Sequence, residues 1–246
     1  MSGELIVIDG PAGAGKSTVA RRIAEDLGAA LLDTGAIYRS LAWVARARAV
    51  DWGDESGLAT IAGQLQVEFR PPPEPGGSQH VLIWAPLEPR QEGPLDLTAQ
   101  IRTPDISEGA SQVSRHPAVR AALLGIQRAI AATAVGSGRG CVAEGRDMGT
   151  VVFPEARHKF FLTASRAARA RRRHQELLAK GREATVEQVE AEMSRRDQRD
   201  SSREAAPLQQ AEDAVLIDSS ELDIEAVVAR ILAHIDGSIG AGEQDS

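Results

Sequence analysis

Gly10-Pro11-Ala12-Gly13-Ala14-Gly15-Lys16-Ser17 is the stretch that decides the fold of this chain. It fits G-x-x-x-x-G-K-[ST], and its surroundings matter as much as the match. Before it, Leu5–Asp9 is a short apolar run of the kind a buried strand carries. After it, Val19, Ile23 and Leu27 recur at fourfold spacing, the stripe of an amphipathic helix. Strand, glycine loop and helix in that order make a phosphate-binding loop. Glycines let backbone N–H groups face phosphate oxygens with no Cβ in the way, and a helix starting near Lys16 adds its positive end. The Lys16 ammonium would reach the β- and γ-phosphates of ATP, and the Ser17 hydroxyl would ligate Mg2+. Gly10 to Ser17, with Thr18 after them, are the candidate ATP contacts.

Outward from the loop, Ala30–Asp33, Cys141–Glu144, Lys159–Thr163 and Val215–Asp218 repeat the layout of the first run. Continuous apolar runs of this length suit strands buried on both faces of a parallel sheet. Helical stripes lie between them: Val119, Leu123, Ile126 and Ile130, then Ile224, Val227, Val228 and Ile231. Strands alternating with helices predict an α/β fold with a parallel sheet. Two regions break the alternation. Pro71–Gly77 reads PPPEPGG, flanked by the strand-like Leu65–Arg70 and His80–Trp84, which predicts a small antiparallel insertion. Residues 83–94 are too rich in proline to read as a hairpin. Residues 166–203 are arginine-rich and helical, and Thr185 with Gln188 forms a capping box that starts a new helix after a turn at Gly181-Arg182. The tail beyond Asp236 is expected to be disordered.

The formal net charge of −7 disfavours nucleic acid polymers and anionic membranes as partners. Arginines concentrated at 166–173 and 195–203 in an acidic chain suggest a pocket for small anions. Cys141 is the only cysteine, so an intrachain disulfide and a cysteine zinc cluster are both excluded. It falls on a predicted buried strand and reads as inert core. No apolar run approaches the length of a membrane span, and Met1-Ser2-Gly3-Glu4 leads directly into the first strand. These features predict a cytoplasmic protein.

A phosphate loop does not by itself fix a reaction. A GTPase switch needs an Asn-Lys-x-Asp base-recognition segment, and this chain has no asparagine. A motor or helicase ATPase calls for an apolar strand ending in Asp-Glu, and no predicted strand ends so. A small-molecule kinase remains, which needs the loop, Mg2+ and arginines at the transferred phosphoryl group. Asp33-Thr34-Gly35 passes from a strand to a helix, which places Thr34 and Arg39 at the carboxyl edge of the sheet, where ligands bind. Arg39 can fork onto a phosphate, although taken alone it reads better as a solvated helix arginine. Gly145-Arg146-Asp147 follows a buried strand, so the pair faces either a ligand or an internal turn. Arg196, Asp200 and Arg203 stand at i, i+4 and i+7 and share one face if the helix continues through them.

LIVIDGPAGAGKST, LLDTGAIYRSLAW, IRTPDISEGASQVSRHPAVRAALLGIQR, VAEGRDMGTVVFPEARHKFFLTAS and RRDQRDSSREAAPL closely resemble, in this order, the bacterial cytidylate kinases. The resemblance implies a P-loop kinase core with a five-stranded parallel sheet flanked by helices. It adds a small β insertion in the nucleoside-monophosphate region and a helical lid. It implies one domain over 1–236, made of a core (1–63, 104–165, 204–236), the insertion (64–103) and the lid region (166–203), with 237–246 as a tail. ATP and CMP or dCMP would be the substrates and the chain a monomer in pyrimidine nucleotide metabolism. Residue by residue, it places Lys16 and the loop on the ATP phosphates and Arg39, Arg146 and Arg196 on the CMP phosphate. Ser111, Arg120 and Asp147 would read the cytosine edge, and Asp200 and Arg203 would hold the sugar hydroxyls. Thr34 takes a position that family members fill with Ser or Thr. Lys16, Arg146 and Arg196 are the candidate catalytic groups. Arg169 and Arg171 to Arg173 fit a lid closing over 166–185, with the phosphate-contacting one unassigned.

Overall fold

The computed structural model describes residues 3–72, 74, 77–87, 92–179 and 181–242. In chain order these form β1 (Leu5–Asp9), α1 (Lys16–Leu27), β2 (Ala30–Asp33), α2 (Thr34–Ala47), α3 (Glu55–Gln64), β3 (Gln66–Arg70), β4 (His80–Trp84) and β5 (Leu95–Asp96). There follow α4 (Pro104–Val113), α5 (Pro117–Gly136), β6 (Cys141–Gly145), β7 (His158–Thr163), α6 (Arg166–Ala179), α7 (Val186–Ser201), β8 (Val215–Asp218) and α8 (Ile224–Gly242). A 3₁₀ turn at Gln100–Arg102 and a π-helical turn at Met148–Val152 complete the set.

The five apolar runs all become strands of one parallel sheet, in the order β2-β6-β1-β7-β8. The register pairs Asp9 with Gly145 and Asp9 with Phe161. The loop after β1 and the Arg146-Asp147 segment after β6 therefore leave the sheet side by side at its carboxyl edge, the ligand-binding edge of such sheets. Gly10 makes the turn out of β1 with φ of +147°, and a Cβ there would lie 1.9 Å from the Leu162 carbonyl oxygen of β7. Only glycine lets the loop start so close to the neighbouring strand. Cys141 opens β6 fully buried, and burial pushes its thiol up to about 12.

The chain packs as two compact units, 1–31 with 133–246 and 32–132. This division differs from a core of 1–63, 104–165 and 204–236, because residues 32–63 and 104–132 pack with the insertion. In the first unit, Val19, Ile23 and Ala24 of α1 and Val227, Val228, Ile231 and Ile235 of α8 close over Ile6, Ile8, Val142, Phe160 and Leu162 of the sheet. Full burial of each such aliphatic chain contributes roughly 1.5–3 kcal/mol. The tail read as disordered from 237 instead continues α8 to Gly242. Once a helix is nucleated and packed through Ile231 and Ile235, each added residue gains a hydrogen bond without a new nucleation cost. Residues 243–246 lie outside the described residues.

In the second unit, Leu41 and Val44 of α2, Leu58 and Ile61 of α3, and Ile106 and Val113 of α4 form a buried apolar interior with Ile83, Leu97 and Ile101. β3 and β4 pair antiparallel as expected, and β4 gains a further partner in β5, where Leu82 faces Asp96. Parts of the proline-rich stretch, 73, 75, 76 and 88–91, lie outside the described residues. Trp52 is a packing residue: its indole Nε1 donates to the Ala42 carbonyl at 3.0 Å and its ring lies against Gly109. A Cβ at Gly109 would meet that ring at 2.5 Å. Gly109→Ala should therefore destabilise the protein by about 1–3 kcal/mol through overpacking, read as a lower melting temperature. An unchanged melting temperature would show that the pinned ring gives way freely.

Helix α5 is the one described segment long and apolar enough to cross a membrane, with mean hydropathy 1.3. Its Val119, Leu123, Gln127, Ala131 and Ala134 are buried along one stripe, with Ile126 and Ile130 half-buried beside it, which is the pattern of a core helix. The buried stripe runs through Gln127, whose Nε2 donates to the Leu123 carbonyl at 3.2 Å while its Oε1 is buried without a partner.

Candidate active site

Helix α1 begins at Lys16 after Gly15, which sits in the left-handed region at φ 95° and gives the helix no side-chain cap. The first-turn N–H groups face the loop with no acidic residue in that turn, the arrangement that receives an anion. Lys16 is buried, and its Nζ donates to the Pro11 carbonyl at 2.9 Å across the loop. Burial first, then the Arg146 guanidinium, with Arg196 behind it, holds the Lys16 ammonium well below the ordinary lysine value. The carboxylates of Glu144 and Asp9 offset only part of this. A cation kept charged there gains from any added negative charge.

Neither carboxylate stands out in the sequence as a site residue. Asp9 accepts from the Met148 and Gly149 amides at 2.9 and 2.8 Å, and burial raises its carboxyl to about 6. Glu144, on β6, is buried close enough to Lys16 and Arg146 to act on both. The only signal in the sequence was that both strands end in an acid, and that reads equally as a strand terminus. Ser17 is the second residue of α1 with its side chain exposed. Among the described residues no three His, Cys, Asp or Glu side chains gather to hold a metal. The exposed Ser17 hydroxyl is a hard oxygen donor of the kind that fits Mg2+, which binds through substrate phosphates, water and one or two protein oxygens.

Arg146 and Asp200 form the centre of the first unit's charged cluster, Nε to Oδ2 at 3.0 Å. Burial works against the Arg146 charge, and Asp200, with Glu144 and Asp197, lifts it above its ordinary value. Asp200 is likewise pressed up by burial and drawn below its ordinary value by Arg146, Arg203 and Arg196. Asp147 is buried, and its carbonyl accepts from Val151 and Val152 to start the π-helical turn. Arg203 does not lie on a continuing helix. α7 stops at Ser201 with Ser202 as its cap. The chain then turns so that Arg203 Nε donates to the Asp200 carbonyl at 3.2 Å and Nη2 stands 3.9 Å from its carboxylate. Arg203 thus reaches Asp200, three residues earlier, by a turn and not along a helix face.

The expected helix–turn–helix is present, with Gly181 at φ 69° and the capping box on Thr185 and Gln188. The first half of α6 is firmly held, contrary to what its charge suggests. Arg169 is buried and bonded to Ala164, Ala12 and Asp197, and Arg172 Nη1 donates to the Ser219 hydroxyl at 3.0 Å. Arg173 pairs with Glu176 on its own helix, and Arg171 is exposed.

In the second unit, Asp33 caps α2 by accepting from the Ala36 amide at 2.8 Å, and its other oxygen accepts from Arg39 Nη2 at 2.7 Å. Thr34 is buried on the first turn of α2. Arg39 Nε and the Ser111 hydroxyl are buried without a hydrogen-bond partner. A buried polar atom without a partner costs about 1–3 kcal/mol, so both positions favour a ligand that completes them. Arg120 donates to the Ser114 carbonyl at 3.3 Å and stacks 5.7 Å from the Tyr38 ring centre, contacts that orient its guanidinium.

A parallel sheet with a glycine loop opening a helix at its central strand, a buried loop lysine and arginines at the same edge defines a P-loop kinase. A family model described as cytidylate kinase matches residues 6–237. Relatives named cytidylate kinase are 47% identical in Pseudomonas syringae pv. tomato, over 94% of this chain and 94% of that protein, and 47% identical in Azotobacter vinelandii over the same shares. The chain belongs to the cytidylate kinase family.

Proposed function

We propose that the chain transfers the γ-phosphate of ATP to CMP, and to dCMP, giving ADP and CDP or dCDP by direct in-line transfer. An oxygen of the CMP phosphate attacks the γ-phosphorus as the bond to the ADP oxygen breaks, with no covalent enzyme intermediate. In this reading Gly10 to Thr18 hold the ATP phosphates, and Lys16, Arg146 and Arg196 meet the charge that develops during transfer. Ser17 is the residue that would ligate Mg2+ brought with ATP, and the ion would supply positive charge against the phosphates. Thr34, Arg39, Ser111, Arg120, Arg146, Asp147, Arg196, Asp200 and Arg203 are the residues this reading assigns to CMP recognition. The enzyme acts as a cytoplasmic monomer on small molecules.

The observation that carries phosphoryl transfer is Lys16, a buried ammonium held among arginines at the start of an uncapped helix. The acceptor rests on the family. A coupled ADP-release assay with CMP, dCMP, UMP, AMP and shikimate side by side tests both. Turnover should be fastest with CMP and dCMP. Transfer only to another acceptor would replace CMP in this reading, and ATP hydrolysis indifferent to every acceptor would make the chain a nucleotide-binding regulator instead.

A further inference from the structure

Ala12 of the glycine loop is gripped at both of its backbone polar atoms. Its N–H donates to Asp197 Oδ1 at 3.4 Å, and its carbonyl accepts from Arg169 Nη1 at 3.0 Å. The same Nη1 donates to Asp197 Oδ2 at 2.5 Å, which closes a ring of three groups around one loop residue. Arg169 is further anchored through Nε to the Ala164 carbonyl at 3.1 Å. Its side chain is 8% exposed and that of Asp197 20%, so the pair is shielded from water and ions that weaken surface pairs. One turn earlier on α7, Met193 lies against Gly13, where a Cβ would meet its methyl carbon at 2.5 Å. Met193 and Asp197 are therefore one face of α7, and that face is seated on two consecutive loop residues.

Arg196 precedes Asp197 on the same helix, about 100° around it, and lies near enough to Lys16 to act on its charge. A helix transmits displacement rigidly, so whatever fixes Asp197 against Ala12 also fixes Arg196 against the loop lysine. We infer that Asp197 is a positioning residue for phosphoryl transfer, clamping Ala12 together with Arg169 and so holding α7 where Arg196 serves Lys16. This rests on the proposed role of Arg196. The clamp needs a carboxylate. Both oxygens accept, and an asparagine of the same shape would turn an N–H2 toward either the Ala12 amide or the Arg169 guanidinium.

The test is a double-mutant cycle of Asp197→Asn and Arg196→Ala, with kcat and both KM values measured and folding checked by circular dichroism. Asp197→Asn alone should lower kcat about tenfold while KM for CMP stays within about twofold. In the Arg196→Ala background the same change should cost less than about twofold, because the group it positions is gone. Should Asp197→Asn fail to fold, Arg169→Lys takes its place in the cycle, keeping the charge and losing the fork that reaches Ala12 and Asp197 together. Losses that multiply independently would overturn the inference, as would an unimpaired Asp197→Asn beside an impaired Arg196→Ala. An unimpaired Arg196→Ala would instead remove the Arg196 assignment, and this inference with it.

Discussion

Lys16→Ala should lower kcat by at least about a hundredfold, near 2.7 kcal/mol of transition-state stabilisation. The ammonium is buried at the first position of α1 and is destabilised there by its own desolvation and by Arg146 and Arg196. Charge that grows on the transferring group during the reaction relieves that cost more than ground-state charge does, so the loss should fall on kcat more than on KM. Stability gives a second, independent reading. A lysine whose folded value is depressed carries a penalty at neutral pH, which is relieved as pH rises towards its unfolded value. Removing the side chain should therefore leave the melting temperature of the nucleotide-free protein unchanged or higher. A folded mutant with near-native turnover would show that the loop lysine plays no part in catalysis.

Asp147→Ala should narrow the preference for CMP over UMP, measured as the ratio of kcat/KM values, by roughly five- to 150-fold. Cytosine presents an amino donor at C4 beside an acceptor at N3, and uracil reverses both. In the proposed assignment Asp147 accepts from the amino group, with Ser111 and Arg120 completing the selection. Against uracil a carboxylate meets an oxygen, and a mispaired buried polar group costs roughly 1–3 kcal/mol. Asp147 is buried directly after β6 beside Arg146, so a second role as a partner of that arginine is open to it. That role would lower kcat/KM for both acceptors together. KM for ATP should change little in either case. An unaltered CMP-to-UMP ratio would take base reading away from Asp147.

The parallel strands were legible because strands buried on both faces must be apolar throughout. β1, β2 and β8 match the expected bounds, while β6 reaches one residue further to Gly145 and β7 begins one residue earlier at His158. The start of α7 was legible because its capping box is a local hydrogen-bond pattern. β5 was not, since Leu95–Asp96 is too short to show alternation and owes its existence to pairing with β4. The turn that brings Arg203 back to Asp200 is likewise set by tertiary contacts, with the Leu208 amide donating to the Asp200 carbonyl at 2.9 Å. At the candidate site, the arginines proposed for the acceptor side came from the family resemblance, and the glycine loop could be located from its own motif. Asp9, Glu144 and Asp197 could not, because a carboxylate's role depends on which amide or guanidinium lies opposite, and that partner is 139 residues away for Asp9 and Met148.

The sealed thiol in the central sheet also decides how the protein can be labelled. Cys141 lies at zero exposure on β6 with its ionisation suppressed, so alkylating dyes find no native target on the folded chain. Leu178, exposed near the end of α6, can be exchanged by Leu178→Cys to give the single thiol a maleimide reaches. A fluorophore there would report on that helix during turnover while the native cysteine stays in place.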